Sequence, residues 1–175
     1  MDTFRTSIGT SIETSIGTSI GTSIGTSIGT SIGTTFGFTN GIITILSLIS
    51  GLYATKVTKI GVIGAILALL ITDPLSDAYS MYKSQKNNSK HAIQIGKEAF
   101  LSQMIIQFIF LCIIIMTTTL YRGIIYCYIV GVCFVIIYDR YKKESINSTF
   151  FNIGTIFSLV ILTYIIDKLV YKYFS

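Results

Sequence analysis

The sequence predicts an all-α integral membrane protein, with five transmembrane helices entered from a low-complexity tail. Three observations predict it. Of the 175 residues, 51% are hydrophobic and only 12% charged, more apolar surface than a soluble domain of this size can hide. From Thr35 onward the apolar residues fall into five runs, at 36–54, 58–82, 99–119, 122–138 and 151–171. Each is close to the roughly 20 residues that cross a bilayer as a helix. Finally, the runs are unbroken, without the alternation of a barrel strand.

The tail, residues 1–35, is built on seven tandem tetrapeptides over 6–33, TSIG six times and TSIE once, ending at Glu13. Glycine in every fourth place costs a helix about 1 kcal/mol per residue relative to alanine. Thr, Ser and Ile add β-branching and side-chain competition for backbone hydrogen bonds. The segment reads as a flexible tail with little part in the chemistry. It carries Arg5 but no continuous apolar core, unlike a cleavable signal peptide.

The five-helix domain then spans 36–175. Its first and third connections, Thr55–Val57 and Leu120–Arg122, are tight turns, whereas 83–98 and 139–150 read as longer polar loops. Lys and Arg set the orientation. With the N-terminus inside, that side holds Arg5, Lys83, Lys86, Lys90, Lys97, Arg140, Lys142 and Lys143, eight against five opposite. The expected topology is N-in, C-out, in a multi-pass protein of the cell membrane.

The second run ends in ITDPLSDAYSMY, Ile71 to Tyr82, with two aspartates and the only proline. On a helix, Asp73, Asp77 and Met81 share one stripe. A carboxylate at the bilayer centre costs about 2.5–3.5 kcal/mol, so such groups face a bundle interior or a wet cavity. Two of them one turn apart repel, which invites a cation or a shared proton. Pro74 removes one backbone hydrogen bond and is expected to kink the helix near Leu70. Facing polar groups are available in Asn40, Thr44 and Ser47 of the first helix, Gln103 and Gln107 of the third, and Asn152, Thr155, Ser158 and Asp167 of the fifth. Taken singly, groups of this kind more often join helices than bind ligands.

The stretch Phe36–Ser84 resembles the vacuolar iron transporter family, in particular its short prokaryotic members. In FGFTNGIITILSLISGLYAT the matching residues are Gly37, Gly41, Ile43, Thr44, Gly51 and Leu52. In VIGAILALLITDPLSDAYS they are Gly64, Asp73, Ser76, Asp77 and Ala78, followed by Met81. The resemblance implies a five-helix homodimer that moves Fe²⁺ or Mn²⁺ across a membrane, in exchange for protons. It implies metal ligation by Asp73, Asp77 and Met81, with Asn40 and Thr44 as the facing wall. Asn40 stands where the iron-transporting branch has an acid, and the basic segment 83–98 lacks that branch's glutamates.

Other classes fit less well. No basic block interleaves with aromatics, so nucleic acid is not expected as a partner. Cys112, Cys127 and Cys133 lie in apolar runs as packing residues, without zinc or disulfide spacing. His91 is expected in a polar loop. An intramembrane aspartyl hydrolase would need its acids on different helices, so no enzymatic activity is expected. The alternative function is a membrane scaffold of the same fold that carries no metal.

Overall fold

The computed structural model describes residues 32–84 and 89–174, and these form five helices long and apolar enough to cross a membrane. They are α1 (Ile32–Ala54), α2 (Lys59–Ser84), α3 (Ser89–Met116), α4 (Leu120–Tyr141) and α5 (Ile146–Phe174). The tail expected over 1–35 lies outside the described residues, except for 32–35, which make the first turn of α1.

Several expectations about helix ends are corrected. The loop drawn over 83–98 shrinks to the few residues between Ser84 and Ser89, because α3 starts ten residues before its apolar run. Ala92 and Ile95 are buried on this extension, in line with Ala99 at the start of the run, and their spacing supplies an inward face to a polar stretch. His91 is thus half-buried in a helix, not in a loop. Likewise α4 continues to Tyr141 and α5 begins at Ile146, which shortens the loop expected over 139–150. The turn expected at Leu120–Arg122 falls instead at 117–119, because α4 already begins at Leu120, which packs on the core. Hydropathy marks where a helix crosses hydrocarbon, not where its backbone bonds stop.

Both described turns that follow a spanning helix through a left-handed residue use the same device. After α1, Lys56 has φ 57°, Val57 N–H donates to Leu52 O (3.0 Å), and Lys56 N–H to Tyr53 O (3.1 Å). After α4, Lys143 has φ 58°, Glu144 N–H donates to Asp139 O (2.9 Å), and Lys143 N–H to Arg140 O (3.1 Å). These are Schellman caps with lysine in the place that glycine usually takes. The lysine charge suits a helix C-terminus, but a side chain there costs about 1–2 kcal/mol. Lys56→Gly and Lys143→Gly are each expected to stabilise by about 0.5–1 kcal/mol. Thermal midpoints in detergent, raised by about 2 °C, check this.

Helices α1 and α3 form the centre. In each, 39% of the spanning window is buried inside the bundle, against 17% in α2 and α5. Ile42, Ile45, Leu46 and Ile49 of α1 pack with Ile106, Phe110 and Ile114 of α3. Gly33, Gly37 and Gly41 lie every fourth residue on α1 and let its backbone rest on α3. A Cβ at Gly37 would collide with Ala99 O and Ser102 Oγ, and one at Gly41 would lie 3.3 Å from Gln103 O. This is small-residue packing of the kind that replaces the hydrophobic effect between membrane helices.

The outer surfaces of α2, α4 and α5 carry Leu67, Ile71, Ile129, Phe151, Ile161 and Leu162, all exposed, which suits lipid. Lysines stand over tyrosine rings at both ends of the bundle. Lys56 Nζ lies 5.3 Å from the Tyr171 ring at one end and Lys142 Nζ 5.6 Å from Tyr138 at the other. Such pairs suit the two membrane–water interfaces.

Candidate metal centre between α1, α2 and α3

α2 shows one inward stripe, Val62, Ile66, Asp73, Pro74 and Asp77. Its first two residues join the apolar core, and the aspartates follow two turns later. Asp73 is 14 residues into α2, about 21 Å along its axis at 1.5 Å per residue, well inside the apolar span. The helix continues through Pro74, whose ring is fully buried between the two acids.

The aspartates are held by amides from two other helices. Gln103 Nε2 donates to Asp73 Oδ2 (2.7 Å) and to Asp77 Oδ2 (2.9 Å). Gln107 Nε2 donates to Asp73 Oδ2 (2.8 Å). Asn40 Nδ2 of α1 donates to Asp77 Oδ2. Both glutamines are fully buried, and their Oε1 atoms have no hydrogen-bond partner among the described residues. Neither aspartate makes an ion pair with a described Lys, Arg or His. Two acids and three amides therefore converge, and all their coordinating atoms would be oxygens. Such a set suits a hard or borderline divalent cation.

The glycine stripe explains the convergence. Gly41 follows Asn40 and lies against Gln103, so the close approach of α1 to α3 brings the Asn40 amide within reach of Asp77. On the other side Gly96 faces Ala78 O, 2.9 Å from where its Cβ would stand, which draws α3 onto α2 next to Asp77.

Of the residues expected to ligate a metal, Asn40, Asp73 and Asp77 meet here, joined by Gln103 and Gln107. Thr44 is half-buried one turn beyond Asn40 and makes no hydrogen bond to either acid. Met81 is half-buried one turn past Asp77, and its carbonyl accepts from Ser84 Oγ (2.8 Å). The polar groups of α5 stay apart from the site. Thr155 and Ser158 are exposed, and Asn152 Nδ2 donates to Asp139 Oδ2 of α4 (3.1 Å). Asp167 lies against Gly51 of α1. No cluster of three or more His, Cys, Asp or Glu exists among the described residues.

Sequence reasoning placed Gln103 and Gln107 among helix-joining groups. The available signal was their one-turn spacing, matched to that of Asp73 and Asp77 on a neighbouring, antiparallel helix. A second polar feature, Asp139, was not singled out. It is 6% exposed and lines a cavity of about 330 Å³ between α1, α4 and α5, with Thr35, Phe38, Tyr138 and Asn152.

No protein-family model, curated protein or solved structure matches the chain.

Proposed function

We propose that the chain is a divalent cation transporter of the vacuolar iron transporter type, which carries Fe²⁺ or Mn²⁺ against protons as a homodimer of the cell membrane. The N-terminus is inside and the C-terminus outside. The observation that carries this reading is the pair Asp73 and Asp77, turned into the bundle without a cationic partner among the described residues and surrounded by amides. Intramembrane carboxylates facing an interior mark ion and proton pathways. Asp73 and Asp77 are the charged ligands, Met81 the soft ligand toward the cytoplasmic mouth, and Asn40 and Thr44 the facing wall.

The second reading is a scaffold that carries no metal. It is favoured by the same cluster, because four amide-to-carboxylate hydrogen bonds already lock α1, α2 and α3 together.

Uptake into proteoliposomes separates the two. Fe²⁺ and Mn²⁺ are supplied in parallel, with and without a pH gradient, to wild type and Asp73→Asn. The transporter reading expects uptake by the wild type and a loss to the background of empty liposomes in Asp73→Asn. An intact, dimeric wild type that takes up neither ion would leave the scaffold.

A further inference from the structure

Gln103 Nε2 occupies an unusual position. It lies within 3 Å of Oδ2 of both Asp73 and Asp77, so one atom bridges two acids. A cation bound by both would stand close to that point. The amide N–H groups thus do for the cation-free site what the cation does for the loaded one: they give the carboxylate oxygens a positive partner.

The arrangement leaves a residue of unfavourable energy. With both Nε2 atoms turned to the acids, Gln103 Oε1 and Gln107 Oε1 are buried without a partner among the described residues, on side chains that are fully buried. Buried polar atoms are nearly always hydrogen-bonded, because an unmade bond forfeits the solvation that burial removed. Yet each orphan oxygen sits on the same carbon as a nitrogen in contact with Asp73. A half-turn about the Cγ–Cδ bond exchanges the two, and that terminal torsion is broad and nearly two-fold.

We propose that Gln103 and Gln107 are convertible ligands, which bind the aspartates through N–H donors in the cation-free site and turn their carbonyl oxygens to a divalent cation when it enters. This rests on the reading of Asp73 and Asp77 as a cation site. A cation repels N–H and attracts C=O, so its arrival favours the turned amides and removes both orphan acceptors at once. Asp73, Asp77, Gln103 and Gln107 then offer four oxygens, with Asn40 able to add a fifth by the same turn. Six-fold coordination of Mn²⁺ or a similar hard divalent cation would be completed by water. No charge beyond the two carboxylates is needed, and the site is never left without partners while empty.

The test is equilibrium binding of Mn²⁺ to the purified full chain in detergent, read from the electron paramagnetic resonance of free Mn²⁺. Gln103→Leu and Gln107→Leu keep volume but remove the oxygen, and each is expected to weaken binding about tenfold or more. Gln107→Glu, which offers oxygen without turning, is expected to bind at least as tightly as wild type. Leucine variants that match wild type, beside an Asp73→Asn that has lost binding, would overturn the proposal and leave the site reading intact. If Asp73→Asn binds like wild type, the site reading falls and the proposal with it.

Should the leucine variants fail to fold, wild type suffices. With glutamine labelled by ¹³C at Cδ, an infrared difference spectrum on adding Mn²⁺ should move the side-chain carbonyl band to lower frequency. A spectrum with no glutamine band overturns the proposal.

Discussion

Gly37→Ala is expected to destabilise the fold strongly, although alanine is the better helix former by about 1 kcal/mol. The added methyl would meet Ala99 O, a backbone atom of α3, and Ser102 Oγ. A flexible side-chain end can rotate away, but a carbonyl inside a helix moves only with its helix. Overpacking typically costs about 1–3 kcal/mol and occasionally more, and here α1 must also retreat from the helix that holds Gln103 and Gln107. A net loss of about 3 kcal/mol would lower the thermal midpoint by roughly 10 °C. The control has the opposite sign. Gly64 and Gly154 have no atom within 4 Å of an added Cβ, so alanine there should raise the midpoint slightly. Equal responses at all three positions would mean that α1 and α3 do not meet through glycine.

Asn40→Asp is expected to destabilise the cation-free protein and to tighten divalent cation binding by about 100-fold or more. Asn40 gives Asp77 one of its N–H donors; a carboxylate there puts oxygen against oxygen. Two unit charges about 4 Å apart interact by about 4 kcal/mol at an effective dielectric of about 20. Without a cation that energy opposes folding. With one, a third charge attracts it, and a hundredfold gain corresponds to about 2.7 kcal/mol. The measurable signature is a wider gap between thermal midpoints with and without Mn²⁺, because a ligand that binds only the folded state stabilises it by mass action. A variant as stable as wild type without Mn²⁺, and no more responsive to it, would place Asn40 away from the cation.

Much of this architecture was legible in the sequence. Apolar runs located all five spans, since nothing else in a water-soluble chain explains them. The inward turn of Asp73 and Asp77 followed from the cost of placing carboxylates in hydrocarbon. Helix ends were not legible in the same way. The extension of α3 to Ser89 rests on Ala92 and Ile95 burying against neighbours, and hydropathy is blind to burial that polar neighbours flank. The glutamines posed another difficulty. A glutamine pair in an apolar helix says that it has a partner, but which helix supplies it depends on how the bundle is rotated. That rotation is set by Gly37, Gly41 and Gly96 acting together, which no single segment displays. Asn152 was legible as an inward polar group of the fifth helix, but its partner Asp139 escaped notice because it stands just past the end of its apolar run. Only the tight turn between α4 and α5 brings them together.

Gly33 has two memberships: it closes the last TSIG unit and opens the row of glycines that rests on α3. The tandem array and the packing seam thus share one period of four residues. Gain or loss of whole units ahead of Thr30 leaves the Gly33, Gly37 and Gly41 spacing as it is, and keeps the reading frame. Replication slippage, to which short tandem repeats are prone, could therefore change the length of this chain between close relatives without touching Asn40 or the glycine seam. Length polymorphism in the array and constancy after Ile32 is the pattern that this shared period would leave in a population.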